Sequence, residues 1–249
     1  MNISRQDWIY LSPHLDDAAL SCGGLIWEQV QADSPVSIWN ICAGFIPPRP
    51  LSPFAQELHA RWQTGPEAVQ ARREEDKLAA GWLGAAPVYL DIPDCIYRFR
   101  SLPTGEQPLI QGEADLQDAE PEYDLVANLA QVLKETLPPD ARVVCPMALG
   151  GHVDHRLARA AAERSGLPLF YYADYPYVLR SAWELSQMEL GVWKRTPAPI
   201  SEPALTAWLE AVSAYSSQIS TFWSGAEEMK LAVKNYWAGG GGRLWQIGT

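Results

Sequence analysis

Three of the chain's four histidines fall in two short acidic clusters, Pro13-His14-Leu15-Asp16-Asp17 and Gly150-Gly151-His152-Val153-Asp154-His155. Imidazole and carboxylate with no thiolate nearby are the ligand chemistry of a catalytic divalent metal rather than of a structural zinc knuckle. A catalytic centre takes about three protein ligands and leaves a position open for water. The two clusters supply three ligands, and the residues left over are of the types that move protons. The pattern reads as a metal-dependent hydrolase. Taken singly, a histidine at a strand end is commonly a hydrogen-bonded structural residue, and paired acids after a strand are commonly a helix cap. Three scarce histidines in two such clusters, each after a strand-like run, outweigh both readings. The fourth, His59, stands in Glu57-Leu58-His59-Ala60-Arg61 and reads as a surface or loop residue.

In an extended turn Asp16 and Asp17 point to different sides. One carboxylate can then bind metal while the other faces the reacting water, the division of labour that amide hydrolysis needs. His152 and His155, spaced i, i+3, can face one side of a helix's first turn. One suits a ligand, and the other suits a group that stabilises an oxyanion. Asp154 then stands behind them, orienting an imidazole through its second nitrogen.

The elements that must position these residues alternate between strand-like and helix-like. Trp8–Leu11 is a short apolar run stopped by Ser12-Pro13, and Asp17 to Gln31 has helical spacing with an acidic start. Val36–Cys42 reads as a strand, the proline-rich stretch from Pro47 to Thr64 as a long surface loop, and Glu67–Leu83 as a helix ended by Gly84. Val88–Asp91 is the next strand, and Ser101–Glu120 an aperiodic inserted loop. Asp124–Thr136 (helix), Arg142–Cys145 (strand), His155–Ser165 (helix) and Leu169–Tyr172 (strand) follow. Gly239–Gly242 precedes the apolar segment Leu244–Ile247, read as a loop closing back on the body. This alternation predicts an α/β fold, a Rossmann-like doubly wound, mainly parallel sheet with helices on both faces. Both histidine clusters follow strands, so they should meet beyond the carboxyl ends of the sheet, where such folds bind ligands.

With 249 residues, 47% hydrophobic and 20% charged, the chain fits one domain spanning 1–249. A net charge of −11 argues against nucleic acid as a partner, since phosphate contacts need clustered Lys and Arg. No run approaches the roughly 18 apolar residues of a membrane span. Cys22, Cys42, Cys95 and Cys145 form no C-x-x-C pair and read as reduced core thiols, so a cytoplasmic location is expected. Eleven tryptophans and ten tyrosines exceed what a core needs, leaving some to wall a cleft or a homo-oligomer interface.

Ser12-Pro13-His14-Leu15-Asp16-Asp17 resembles the (A/S)-P/H-H-P-D-D-E signature of the LmbE-like, or PIG-L, zinc-dependent N-deacetylases. Gly151-His152-Val153-Asp154-His155 is similar to that family's H-P-D-H motif, and Arg72-Arg73-Glu74-Glu75 through Leu83-Gly84 to its R-x-x-E-x-x-x-A-x-x-x-L-G helix. Asp91-Ile92-Pro93-Asp94 and Tyr215-Ser216-Ser217-Gln218 resemble its later turn and S-Q segment. The likeness runs from about Trp8 to Gln218. It implies one zinc ion per chain held by His14, Asp17 and His155, although imidazole and carboxylate also suit other divalent metals. It further implies Asp16 as general base, His152 as stabiliser of the tetrahedral intermediate, and Arg72 and Asp94 as contacts to substrate hydroxyls. Family members remove acetyl groups from N-acetylglucosamine conjugates, related sugars and small amides, so a small sugar-containing substrate is expected. Leu15 and Ala18 depart from the signature at positions that bind no metal. Gly150 stands where members acting on an inositol-linked sugar carry a catalytic tyrosine, which argues against that substrate. Arg72 has an alternative as a surface salt bridge to Glu75 or Asp76, and Asp94 as a turn former beside Pro93. Another metal-dependent amidase or esterase, or a non-catalytic binding protein of the same fold, are the competing functions. The spare base and spare histidine favour catalysis.

Overall fold

Trp8–Ser12 forms strand β1, and each of its residues is buried. Ile9 and Leu11 pack into one hydrophobic core, Trp8 and Tyr10 into another. A strand buried on both faces needs helices on both sides, which is the situation in parallel sheets. The protein is described by a computed structural model over residues 7–181, 183, 185–187, 192–196 and 199–248. The remaining strands are β2 (Val36–Asn40), β3 (Ala86–Tyr89), β4 (Phe99–Leu102), β5 (Gly105–Pro108), β6 (Arg142–Pro146), β7 (Leu169–Tyr172), β8 (Trp193–Arg195) and β9 (Leu244–Ile247). They build a seven-stranded sheet in the order β3-β2-β1-β6-β7-β9-β8, with β4 and β5 as a separate hairpin. Strands β3, β2, β1, β6 and β7 run parallel. Strand β9 is antiparallel to both its neighbours.

Among the described residues the helices are α1 (Asp17–Gln31), α2 (Pro53–Trp62), α3 (Ala68–Leu83), α4 (Asp115–Asp118), α5 (Tyr123–Thr136), α6 (Val153–Ser165), α7 (Glu202–Ser213), α8 (Ser216–Phe222) and α9 (Ala226–Ala238). Residues of α1 and α3 share the core of Trp8 and Tyr10, whereas α5 and α6 share that of Ile9 and Leu11. The doubly wound α/β reading of the sequence therefore holds. Helix α7 packs closely on α1 because Gly23 has no side chain: a Cβ there would come within 2.3 Å of the Trp208 ring. Trp208 completes the contact by donating its Nε1–H to the Ala19 carbonyl at 2.7 Å.

The chain leaves β1 toward β2 and β3 on one side, and β6 toward β7 on the other. This reversal of strand order opens a crevice at the carboxyl ends of β1 and β6. The loop carrying His14 and the turn carrying His152 both enter it.

Several expectations are corrected. The stretch from Pro47 to Thr64 contains helix α2, because Ser52 caps it by accepting from the Ala55 N–H at 3.1 Å and Pro53 occupies the first turn. His59 lies on the inner face of that helix, 6% exposed, with Nε2 2.7 Å from the Tyr97 hydroxyl. Ser101–Glu120 is not aperiodic, since it holds most of the β4–β5 hairpin and the single turn α4. Leu244–Ile247 is a strand of the main sheet rather than a closing loop. Two strands end earlier than expected, at Asn40 and Tyr89. All four cysteines are buried and none forms a disulfide, as reduced core thiols should be. No helix among the described residues is long and apolar enough to cross a membrane.

Candidate active site

Beyond β1 the chain folds tightly around two side chains. The Ser12 hydroxyl donates to the His14 carbonyl at 2.5 Å and accepts from the Ala18 N–H at 3.0 Å. Asp17 Oδ2 accepts from the His14 N–H at 2.8 Å. The loop thereby brings His14 Nδ1 to 3.1 Å from Asp17 Oδ2. Helix α6 presents His155, whose Nε2 lies 3.4 Å from the same oxygen. One ligand atom from each of His14, Asp17 and His155 thus lies within 4.8 Å of the others. Two ligands about 2.1 Å from a tetrahedral ion stand about 3.4 Å apart, so the observed spacings fit a divalent metal. His155 Nε2 is buried with no hydrogen-bond partner, an orphan that such an ion would satisfy.

Each histidine is held from behind by a carboxylate. His14 Nε2 is 3.1 Å from Asp154 Oδ2, and His155 Nδ1 is 2.6 Å from Asp174 Oδ1. Such partners fix the ring and leave the opposite nitrogen free for metal. Two further groupings, His14-His152-Asp154 and Asp94-Cys95-Asp154, also bring ligand types together. They suit a metal less well, because Asp154 is already engaged by Arg98, the Cys95 N–H and His14.

The charges are those of a cation trap. Burial would lower the basicity of His14 and His155, yet the carboxylates of Asp94, Asp154, Asp17 and Asp174 raise both. Burial would raise Asp17, but His155 and His14 hold it well below the usual carboxylate range. A divalent ion would take the place of those protons. His152 differs: burial, together with His14 and His155, pushes it down to about 3, so it is neutral at neutral pH. It caps α6 by accepting the Asp154 N–H on Nδ1 at 3.2 Å. The proton of a neutral ring therefore sits on Nε2, as a donor.

Asp16 is 5% exposed and makes no cap bond to α1. Burial raises its carboxyl, and the Arg72 guanidinium, 3.6 Å away, partly offsets the rise. Arg72 does not pair with Glu75 or Asp76. Glu75 accepts from the Ser216 and Ser217 hydroxyls at 2.6 and 2.7 Å, fastening α8 to α3. Asp76 accepts from Tyr215 and Asn40 at 2.8 and 2.9 Å. Asp94 combines both of its readings: it caps the turn Cys95–Tyr97 by accepting from the Ile96 N–H, and it lines the cavity with Oδ2 3.7 Å from His14 Nε2.

The cavity over these groups has a volume of about 230 Å³. His14, Asp16, Asp17, Arg72, Asp94 and His152 line it together with Trp62, Phe54, Phe222 and Gln218. A larger hollow of about 500 Å³ beside Val178 and Tyr236 holds none of the histidines. Asp174 and Tyr177, which the sequence did not single out, follow β7 at the same sheet edge. The Tyr177 ring stands edge-on to His155 at 5.4 Å. It fills the room beside Gly150, where a Cβ would meet it at 3.1 Å.

The PIG-L family model, described as GlcNAc-PI de-N-acetylase, matches residues 9–165. The 2'-N-acetylparomamine deacetylase of Niallia circulans is 28% identical over 215 residues, 76% of each chain. Among solved structures, the zinc-inhibited form of teicoplanin deacetylase Orf2 superposes with a TM-score of 0.75 at 26% identity, covering 96% of this chain and 97% of that one. The antimicrobial reagent A40926 pseudoaglycone deacetylase Dbv21 gives a TM-score of 0.72 at 28% identity, covering 97% and 96%.

Proposed function

Because this chain belongs to the PIG-L family and is a hydrolytic N-deacetylase, we propose that it removes acetyl from an N-acetylated amino sugar or its conjugate with one zinc ion per chain. His14 Nδ1, Asp17 and His155 Nε2 would hold the ion. When bound, zinc lowers the pKa of water and polarises an amide carbonyl. Asp16 takes the proton of the attacking water and returns it to the departing nitrogen, so water and amide become acetate and free amine. Neutral His152 donates its Nε2–H to the carbonyl oxygen as negative charge gathers there. Asp154 and Asp174 keep the two ligand rings in place.

Arg72, Asp94 and Gln218 offer charged and amide groups to sugar hydroxyls, and Trp62 and Phe222 offer aromatic faces. The N-acetylated compound named for the Niallia circulans relative, 2'-N-acetylparomamine, agrees with this lining. The buried reduced thiols support a cytoplasmic location. Exposed Leu78 and Trp82, a helical turn apart on α3, suit a homo-oligomer.

One observation carries the reading: the three donors converge with both outer nitrogens braced and a carboxylate, Asp16, left over. The test is acetate release from N-acetylglucosamine, its glycosides and N-acetylparomamine, with zinc-replete and chelator-treated protein. Zinc-dependent release from one or more of these is expected. Hydrolysis of acetate esters alone would move the protein to the esterase alternative.

A further inference from the structure

Arg98 lies just beyond the turn Cys95–Tyr97, at 8% exposure. Its guanidinium reaches three elements at once. Nη2 donates to Asp154 Oδ1 at 2.7 Å, Nε pairs with Glu122 Oε1 at 2.8 Å, and Nη1 donates to the Pro93 carbonyl at 3.1 Å. Asp154 turns its other oxygen to His14 Nε2 at 3.1 Å and to the Cys95 N–H at 3.0 Å. A continuous line of contacts therefore runs from Arg98 through Asp154 to the outer nitrogen of His14.

We propose that Arg98 is a positioning residue for the metal: it sets the plane of the Asp154 carboxylate, and so the ring of His14, reserving Nδ1 for the ion. The inference rests on the reading of His14, Asp17 and His155 as ligands. Asp154 has no solvent exposure, so without Arg98 its Oδ1 would be a buried acceptor with no donor and its carboxylate would be free to turn. Lysine substitutes only in part, because its donors radiate from one nitrogen, whereas the guanidinium reaches Asp154, Glu122 and the Pro93 carbonyl from three separate nitrogens. The same fork anchors the residue next to Asp94. One side chain thus holds a metal ligand and a wall of the substrate cavity in fixed relation.

The test uses the full chain as wild type, Arg98→Met, Arg98→Lys, Asp154→Asn, the Arg98→Met/Asp154→Asn double variant and His14→Ala. Zinc affinity is measured by competition with a chromophoric chelator, and thermal midpoints are recorded with and without zinc. Partners behind a metal ligand typically contribute about 10- to 100-fold in metal affinity. Arg98→Met is expected to lose that much, Arg98→Lys to fall between it and wild type, and the double variant to match Asp154→Asn alone. A purely structural role would lower the zinc-free midpoint and leave the zinc-induced rise unchanged. Wild-type zinc affinity in Arg98→Met, or additive losses in the double variant, would overturn the proposal. Should Arg98→Met not fold, wild-type affinity in Arg98→Lys would overturn it equally. Wild-type affinity in His14→Ala would instead overturn the ligand assignment itself.

Discussion

Replacing Asp16 by asparagine keeps the shape of the side chain and removes its ability to accept a proton. None of the three converging ligand atoms belongs to Asp16, so zinc content should stay near that of wild type. A positioned general base contributes roughly 10²–10⁴-fold. At about 1.4 kcal/mol per factor of ten, the barrier should rise by about 3–5 kcal/mol. Because Asp16 is almost fully buried, bulk water and buffer reach its position poorly, and the upper half of that range is expected. The pH profile gives a second reading. Burial raises the Asp16 carboxyl above its ordinary value, against the pull of Arg72. The base works deprotonated, so activity is present above that raised pKa and lost as pH falls through it. The acid limb of kcat/KM that reports this base should therefore vanish in the variant. The assay measures acetate release from the best acetylated sugar and zinc content on the same samples. Asp17→Ala serves as the contrast, losing metal and recovering partly with excess zinc. An Asp16→Asn protein with normal zinc content and full turnover would refute the assignment.

Elemental analysis of replete protein should give one divalent ion per chain, and its absence would remove the ligand set. Arg72→Ala should raise KM or lower kcat/KM at unchanged metal content; unaltered kinetics would leave Arg72 as a structural partner of Asp16. Burial raises the Asp76 carboxyl from 3.8 to about 6 despite bonds from Tyr215, Tyr89 and Asn40. A folded-state pKa above the unfolded one means that this group costs stability as pH rises from about 4 to about 6, by up to about 3 kcal/mol. The stability of Asp76→Asn relative to wild type should therefore improve between those pH values, and a constant difference in thermal midpoints would contradict this. Glu75→Ala should loosen α8 and raise KM with zinc content intact; an unchanged KM would show that α8 holds its place without Glu75.

The two histidine clusters of the candidate site were legible because each is local: His14 and Asp17 share one turn, and His152 to His155 one helix start. Asp154, which braces His14, was legible for the same reason, whereas Asp174 and Arg98 were not. Asp174 lies 19 positions from His155 and Arg98 lies 56 from Asp154, and a lone acid or arginine after a strand looks like any surface charge until the fold closes. Helix α2 was obscured by its prolines, although Ser52-Pro53 is a proper start and Phe54, Leu58 and Trp62 repeat at helical spacing. His59 looked exposed because its neighbours Glu57 and Arg61 are charged; its burial comes from Tyr97, supplied by a distant turn. The sheet's parallel core could be read from apolar runs, whereas β8 and β9 are short antiparallel additions whose pairing depends on tertiary contact.

Helix α3 bears on the cavity twice. Arg72 lines it, and Glu75, three residues on, grips the two serines at the start of α8, the helix that contributes Gln218 and Phe222 to the same lining. Three residues along a helix advance about 4.5 Å, a spacing as rigid as the helix backbone. Arg72 and α8 thus take their places from one helix. Changes in α2 or at Leu116 of α4 can alter how deep or how greasy the opening is, whereas the gap between Arg72 and Gln218 depends on the grip of Glu75. A substrate too broad for that gap would have to pull the start of α8 off Glu75 to enter.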